Sequence, residues 1–192
     1  MGADASYNGG SEIHIGTEAG LGGASKNITN IGVCIRTGQY VTGNSNSAVG
    51  WQAGNRVTGN LNVGLGRMAG TDVAGSSNTA VGAYTGQNVT GESNIALGDQ
   101  AGNTVTASNT LAIGTRAHAS VDDGMALGRD ARTTTLGGVA LGADSVASTA
   151  AGIAGYVPTG ASTPQANAIK ATQSTLGAVS VGDTTAATKW YR

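Results

Sequence analysis

The chain has no phenylalanine, two prolines and one cysteine, and aromatic residues make up only 4% of its 192 positions. An ordinary globular core is thereby excluded, because aromatic and bulky aliphatic side chains supply most buried area. Charge is scarce too, at 11% of residues with a formal net charge of −1. That balance argues against nucleic acid as a partner, since phosphate binding needs an excess of Lys and Arg. Low charge combined with 39% apolar content also separates the chain from disordered sequences. No apolar run reaches the roughly 18 residues of a spanning helix, so no membrane contact is expected from this segment. A protein exported whole would carry a leader, and none is visible at the start; the chain is therefore expected to be an excised fragment. A lone Cys34 cannot form an internal disulfide framework.

What fills the chain instead is glycine, 33 residues, more than twice the ordinary share of about 7%. Much of it is periodic. The stretches "NSAVGWQAG", "NVGLGRMAG", "NTAVGAYTG" and "NIALGDQAG" follow one another at intervals of 16 residues. Aligned on the glycine closing each triplet, the anchors are Gly50, Gly66, Gly82, Gly98, Gly114, Gly128 and Gly142, spaced by 16, 16, 16, 16, 14 and 14 residues. Cys34 occupies the anchor position one turn earlier, and Ile15-Gly16 adds another, so about nine turns run from residue 13 to 145. A fixed period of this kind indicates a solenoid.

Each column of the alignment tolerates a different set of residues. The position before the anchor is always branched and apolar: Val49, Leu65, Val81, Leu97, Ile113, Leu127, Leu141. Two residues earlier the column is often apolar, as in Val63, Ile95, Leu111, Met125 and Val139. Between them stand only Ala48, Gly64, Ala80, Ala96, Ala112, Ala126 and Ala140. Apolar, tiny, apolar is a period of two, hence a short strand. The large residues are expected to face one packed side. The tiny column never drifts to a polar residue, so it is expected to be buried against something outside the coil. A second strand is expected in the 16-residue turns, with Val57, Val73, Val89 and Val105 inward. The two positions after each anchor vary freely and are expected to face solvent: Trp51-Gln52, Arg67-Met68, Ala83-Tyr84, Asp99-Gln100, Thr115-Arg116 and Arg129-Asp130. Sharp corners account for the anchor glycines. Asn46, Asn62, Asn78 and Asn94, each four before an anchor, are placed to hydrogen-bond along the stack.

After Gly142 the repeat fades. Thr163 is a candidate N-cap, with Pro164 opening a short Ala-rich helix. "LGAVSVGD" then returns to alternation, with Val179 and Val181 on one face. The chain divides into repeats at 1–150, an insert with a short helix at 151–179, and a final segment at 180–192.

Nothing in the chain reads as a catalytic constellation, and it is not expected to be an enzyme or to carry a cofactor. His14 and His118 lie far apart without Cys or carboxylate clusters, which a zinc site requires, and both are expected at the surface. Cys34 is expected to be an inert small hydrophobe. Asp122-Asp123 resembles a solvated turn cap more than a cation site. A solenoid acyltransferase would show an 18-residue turn, and an ice binder would show a file of paired threonines; neither is present.

The columns resemble the heads of trimeric autotransporter adhesins, the YadA-like family, on "NSAVG" (46–50), "NTAVG" (78–82), "NIALG" (94–98) and "TLAIG" (110–114). Ser180-Val181-Gly182 is similar to the family's "SVG" strand, and Arg192 stands where its neck would begin. The 16-residue turns are longer than the family's shorter type, Cys34 replaces an anchor, and no turn reads "NSVAIG" in full. The resemblance implies an all-β fold, a left-handed parallel β-roll of 14–16-residue turns assembled as a homotrimer. It implies a place on the bacterial outer membrane, anchored by a C-terminal barrel outside this fragment. Ala48, Gly64, Ala80, Ala96, Ala112, Ala126 and Ala140 would then form the trimer interface, although the reverse assignment of the two strand faces also fits. The outer face, with Trp51, Gln52, Arg67, Met68, Tyr84, Asp99, Gln100 and Arg116, would attach to host cells or extracellular matrix of the collagen, fibronectin or laminin class. The alternative is a stiff spacer that presents other adhesive domains.

Overall fold

The computed structural model describes residues 12–24 and 29–182. Among these residues the main sheet has ten parallel strands, each of three residues. They are β1 (Ile13–Ile15), β2 (Ile31–Val33), β3 (Ser47–Val49), β4 (Val63–Leu65), β5 (Thr79–Val81), β6 (Ile95–Leu97), β7 (Leu111–Ile113), β9 (Met125–Leu127), β11 (Val139–Leu141) and β13 (Val179–Val181). Each strand pairs with the next in strict register, so Ser47 meets Val63 and Val63 meets Thr79. The 14-residue turns add a second parallel sheet from β8 (His118–Ala119), β10 (Arg132–Thr133) and β12 (Val146–Ala147). In the 16-residue turns the expected second strand is reduced to single parallel bridges at Thr42, Thr58, Ala74 and Thr90. The molecule is a parallel β-solenoid.

The strand faces are the reverse of those assigned to the candidate interface. Ala48, Ala80, Ala96, Ala112, Ala126 and Ala140 are buried inside the single chain, as is Gly64. They point into the lumen of the coil, not toward a neighbour. The lumen is too thin for anything larger. A methyl built on Gly54, Gly86 or Gly102 would stand 2.7 Å from the Cβ of Ala48, Ala80 or Ala96 respectively. At Gly64 even a methyl would approach the Ala69 carbonyl oxygen to 2.6 Å. The column stays small because the opposite wall is backbone. About 40 Å³ of free space remains along the lumen, room for no more than a few waters. The branched columns therefore go outside: Val49, Leu65, Ile95, Leu97 and Leu141 are between 39% and 47% exposed.

Two internal files hold the turns together. Val41, Val57, Val73, Val89 and Val105 stack as a buried row, as the sequence indicated. Beside them runs an asparagine ladder. The Oδ1 of each Asn accepts from the backbone N–H one turn later, from Asn30 to Asn46 at 2.8 Å and onward at 3.0 Å through Asn62, Asn78 and Asn94. The Nδ2 groups of Asn46, Asn62, Asn78 and Asn94 each donate at 2.9 Å to the carbonyls of Gly59, Gly75, Gly91 and Ala107. Thr110 ends the ladder where the turn shortens, accepting no further amide but donating to Asn94 Oδ1.

The anchor glycines do what their column implied. Gly50 has φ +132°, and a Cβ there would lie 2.4 Å from the carbonyl oxygen of Gly66 on the next turn. Cys34 adopts the same region with φ +126°, where an L side chain is strained; it is half-buried. The second corner is unexpected, because non-glycine residues take it. Gln52, Met68, Tyr84, Gln100 and Arg116 all have φ between +54° and +57°. This turns their N–H groups onto carbonyls of the preceding turn, as from Met68 to Trp51 at 2.9 Å and from Tyr84 to Arg67 at 2.8 Å.

The insert loops out between β11 and β13, which pair as consecutive rungs with Val139 opposite Val179. Ser180 and Val181, assigned from sequence to the final segment, thus belong to the last rung of the sheet. Residues 183–192, where a neck was expected, lie outside the described residues. Within the insert, α1 spans Thr163–Ala171. Its N-cap is Ser162, one residue earlier than expected, because Gln165 closes a capping box with it.

Two stability changes follow. Asn62→Ala leaves the part-buried Gly75 carbonyl and the buried Asn78 N–H without these partners and should cost about 2–4 kcal/mol in denaturant unfolding; an unchanged midpoint would show that the ladder does not hold the turns together. Cys34→Gly should raise stability by about 1–2 kcal/mol by releasing the strained backbone; a loss in the same assay would show that the thiol is needed for packing.

Candidate functional site

Two surfaces are built by the coil. The first is a corner ridge formed by the positions after each anchor. The left-handed corner at Gln52, Met68, Tyr84, Gln100 and Arg116 throws these side chains outward, and the rung spacing of about 4.8 Å brings neighbours into contact. Of the eight residues singled out from sequence, the structure joins three into one stack. The Arg67 guanidinium lies 5.0 Å from the ring centroid of Trp51 and 5.0 Å from that of Tyr84. Met68 and Gln52 lie half-buried beside them, while Asp99 and Gln100 are exposed.

Arg116 belongs to a different group farther along the ridge. Its Nε and Nη2 donate to Asp130 Oδ1 and Oδ2 at 2.7 and 2.6 Å. Arg129 bridges Asp130 and Asp144, each at 2.7 Å. The hydrogen bond from Arg116 holds the Asp130 carboxyl below its usual range, with the nearby charges of Arg116 and Arg129 adding to it. Sequence columns drew attention to the free positions but not to these pairs, whose partners lie 14 or 15 residues apart. The turn length itself was the available signal.

The second surface is the outer face of the ten-stranded sheet. It carries two columns, from Ile13 and Ile15 at one end to Val179 and Val181 at the other. Only Ser47 and Thr79 interrupt its apolar character. Ten rungs make it roughly 40 Å long. Val179 and Val181 are 66% and 60% exposed.

The histidines differ from expectation. His14 stands in the tiny column of β1, where its ring packs over Gly20 and Gly32. It is buried, with Nε2 3.5 Å from Glu12 and Nδ1 lacking a hydrogen-bond partner. His118 is half-buried beside Arg132 in the second sheet. Burial first, and the Arg132 charge second, push its pKa below the ordinary histidine value. Asp122 and Asp123 act as turn caps, accepting from the Ser108 N–H at 2.8 Å and from Asn109 Nδ2 at 3.2 Å. Among the described residues no cluster of three or more His, Cys, Asp or Glu could hold a metal ion. None of their helices is long and apolar enough to cross a membrane.

No known protein-family model matches the chain, and no curated protein matches it.

The lowered pKa of His118 has a definite sign. Above the unfolded value of about 6.5 both states are neutral and the group contributes nothing to pH dependence. As pH falls below it, the unfolded chain takes up the proton first, so stability declines until the folded pKa is passed. His118→Gln should therefore lose less stability than the parent between pH 7 and about pH 5. Parallel loss in the two proteins, followed by thermal unfolding, would contradict this.

Proposed function

We propose that the chain is the head of a bacterial surface adhesin of the trimeric autotransporter type. In this reading three copies assemble through the outer face of the ten-stranded sheet, and the corner ridge meets extracellular matrix or host surface molecules. The observation that carries it is the two-column apolar face, ten rungs long and open in the single chain. Exposed apolar surface of this extent marks an association site, and every rung repeats it. The interface is thus proposed on Val49, Leu65, Val81, Leu97 and their equivalents, in place of the alanine column. The reading includes an outer-membrane location, with the anchor elsewhere in a longer protein.

The repeating ridge suits adhesion, because weak contacts on several copies gain strength through avidity. A second reading, a stiff spacer, is favoured by the Arg116–Asp130–Arg129–Asp144 ladder, which satisfies its own charges.

Light scattering with circular dichroism on the same sample tests the assembly. The expected result is a folded β protein of three times 18.7 kDa. Leu65→Arg combined with Leu97→Arg should lower that mass, whereas Gln100→Arg should leave it unchanged. A parent chain that is itself a folded monomer, or a double variant that keeps the trimer mass, would overturn the proposal. Binding to immobilised collagen, fibronectin or laminin separates the two readings: a folded trimer that binds none of them is a spacer.

A further inference from the structure

Arginines on the outside of the coil follow a common pattern. Arg36 meets Glu18, Arg56 meets Asp72, Arg116 meets Asp130 and Arg129 meets Asp144, each across to a neighbouring turn. Arg132, beside His118 in the second sheet, and Arg67, on the corner ridge, depart from it. Among the described residues no carboxylate pairs with Arg67. Its cation instead sits between Trp51 on the preceding turn and Tyr84 on the following one. Both rings are seated by the backbone, since Met68 N–H binds the Trp51 carbonyl and Tyr84 N–H binds that of Arg67.

The consequence lies in the donors. A guanidinium held by ring faces uses its charge but none of its five N–H groups. Those donors form a rigid planar fork that matches a carboxylate through two parallel bonds. Arg67 is exposed, so the fork is open, and the rings have already fixed its orientation. Much of the ordering cost of binding is therefore met before a ligand arrives.

We infer that Arg67, clamped by Trp51 and Tyr84, reads a single carboxylate on an acidic side chain of a polypeptide partner. Three observations choose this ligand. The neighbouring cations are neutralised by their own partners, so the site offers one free charge and not the basic patch that a polyanion needs. The ring faces toward Arg67 are occupied, which leaves no open aromatic platform there for a sugar. Apolar residues flank the stack, with Met68 next to Arg67 and Ile35, 47% exposed, in the same column one turn before Trp51. Trp, Tyr and Arg in one cluster are the residues that dominate protein contacts. The inference deepens the adhesin reading and rests on it for the setting, but not for the chemistry of the site.

The test uses the whole chain on an array of 12-residue peptides. Each peptide carries one Glu or Asp among apolar residues, next to a Gln or Asn counterpart. Sialylated and uronate glycans share the surface. The parent should bind a subset of the acidic peptides at least about tenfold better than their amide counterparts. Arg67→Gln should abolish that difference, and Arg67→Lys should keep only a small part of it. Both variants should keep the parent's melting temperature. Equal binding of acid and amide peptides, no binding to any peptide, retention by Arg67→Gln, or Arg67-dependent binding to glycans alone would each overturn the inference. A chain that binds acidic peptides but no matrix protein would keep this site and remove the adhesin reading. Matrix binding that ignores Arg67 would do the opposite.

Discussion

The structure depends on a lumen one alanine wide. On one wall stand the methyl groups of Ala48, Ala80 and Ala96, and on the other the bare backbone of Gly54, Gly86 and Gly102. No side chain larger than Ala fits between them, and at Gly64 not even Ala does. Such a coil has little core to bury, so hydrogen bonding carries an unusual share of its order. The asparagine ladder satisfies backbone groups inside each turn and transmits register to the next. The valine file fills the one corner where the 16-residue turns are wider. When the turn shortens after Thr110, the second sheet of β8, β10 and β12 takes its place.

A narrow inside dictates the outside. Since the lumen refuses Val, Leu and Ile, the alternation of each strand sends them to the opposite face, and ten rungs align them into one apolar strip. Water-facing, that strip would be a liability; covered by other copies, it becomes the main source of buried area. The corners obey a different constraint. Their backbone is held by turn-to-turn hydrogen bonds, so the side chains there are free to vary. This is how one coil carries a Trp–Arg–Tyr stack at one level and a self-neutralised chain of Arg and Asp at another.

Much of this was legible from the period. Anchor glycines, the inward valines, the stacked asparagines and the variable corner positions each followed from a column that tolerates only one kind of residue. The two strand faces were harder, because both are apolar. A column of Ala and Gly indicates a tight contact without saying whether the partner is another chain or the opposite wall of the same one. The glycine four residues after each anchor from Gly50 to Gly98, as at Gly54 and Gly86, was the missing clue, since it supplies that wall. His14 misled for a related reason: a large residue stands in the tiny column over Gly20 and Gly32, whose missing side chains leave room for its ring. Contacts on the ridge needed turn length as well as residue type, because they join side chains 14 to 18 residues apart. The helix start moved by one residue because Ser162, and not Thr163, lies three before Gln165.

Unfolding of Ala96→Leu by denaturant, with circular dichroism and solution mass on the same sample, tests the one-alanine lumen most directly. If Ala96 faces the wall at Gly102, the added bulk should cost about 3 kcal/mol or more and disrupt the coil itself. A variant that keeps the parent's spectrum and midpoint, and changes only its state of assembly, would place the alanine column on the outside and contradict the account.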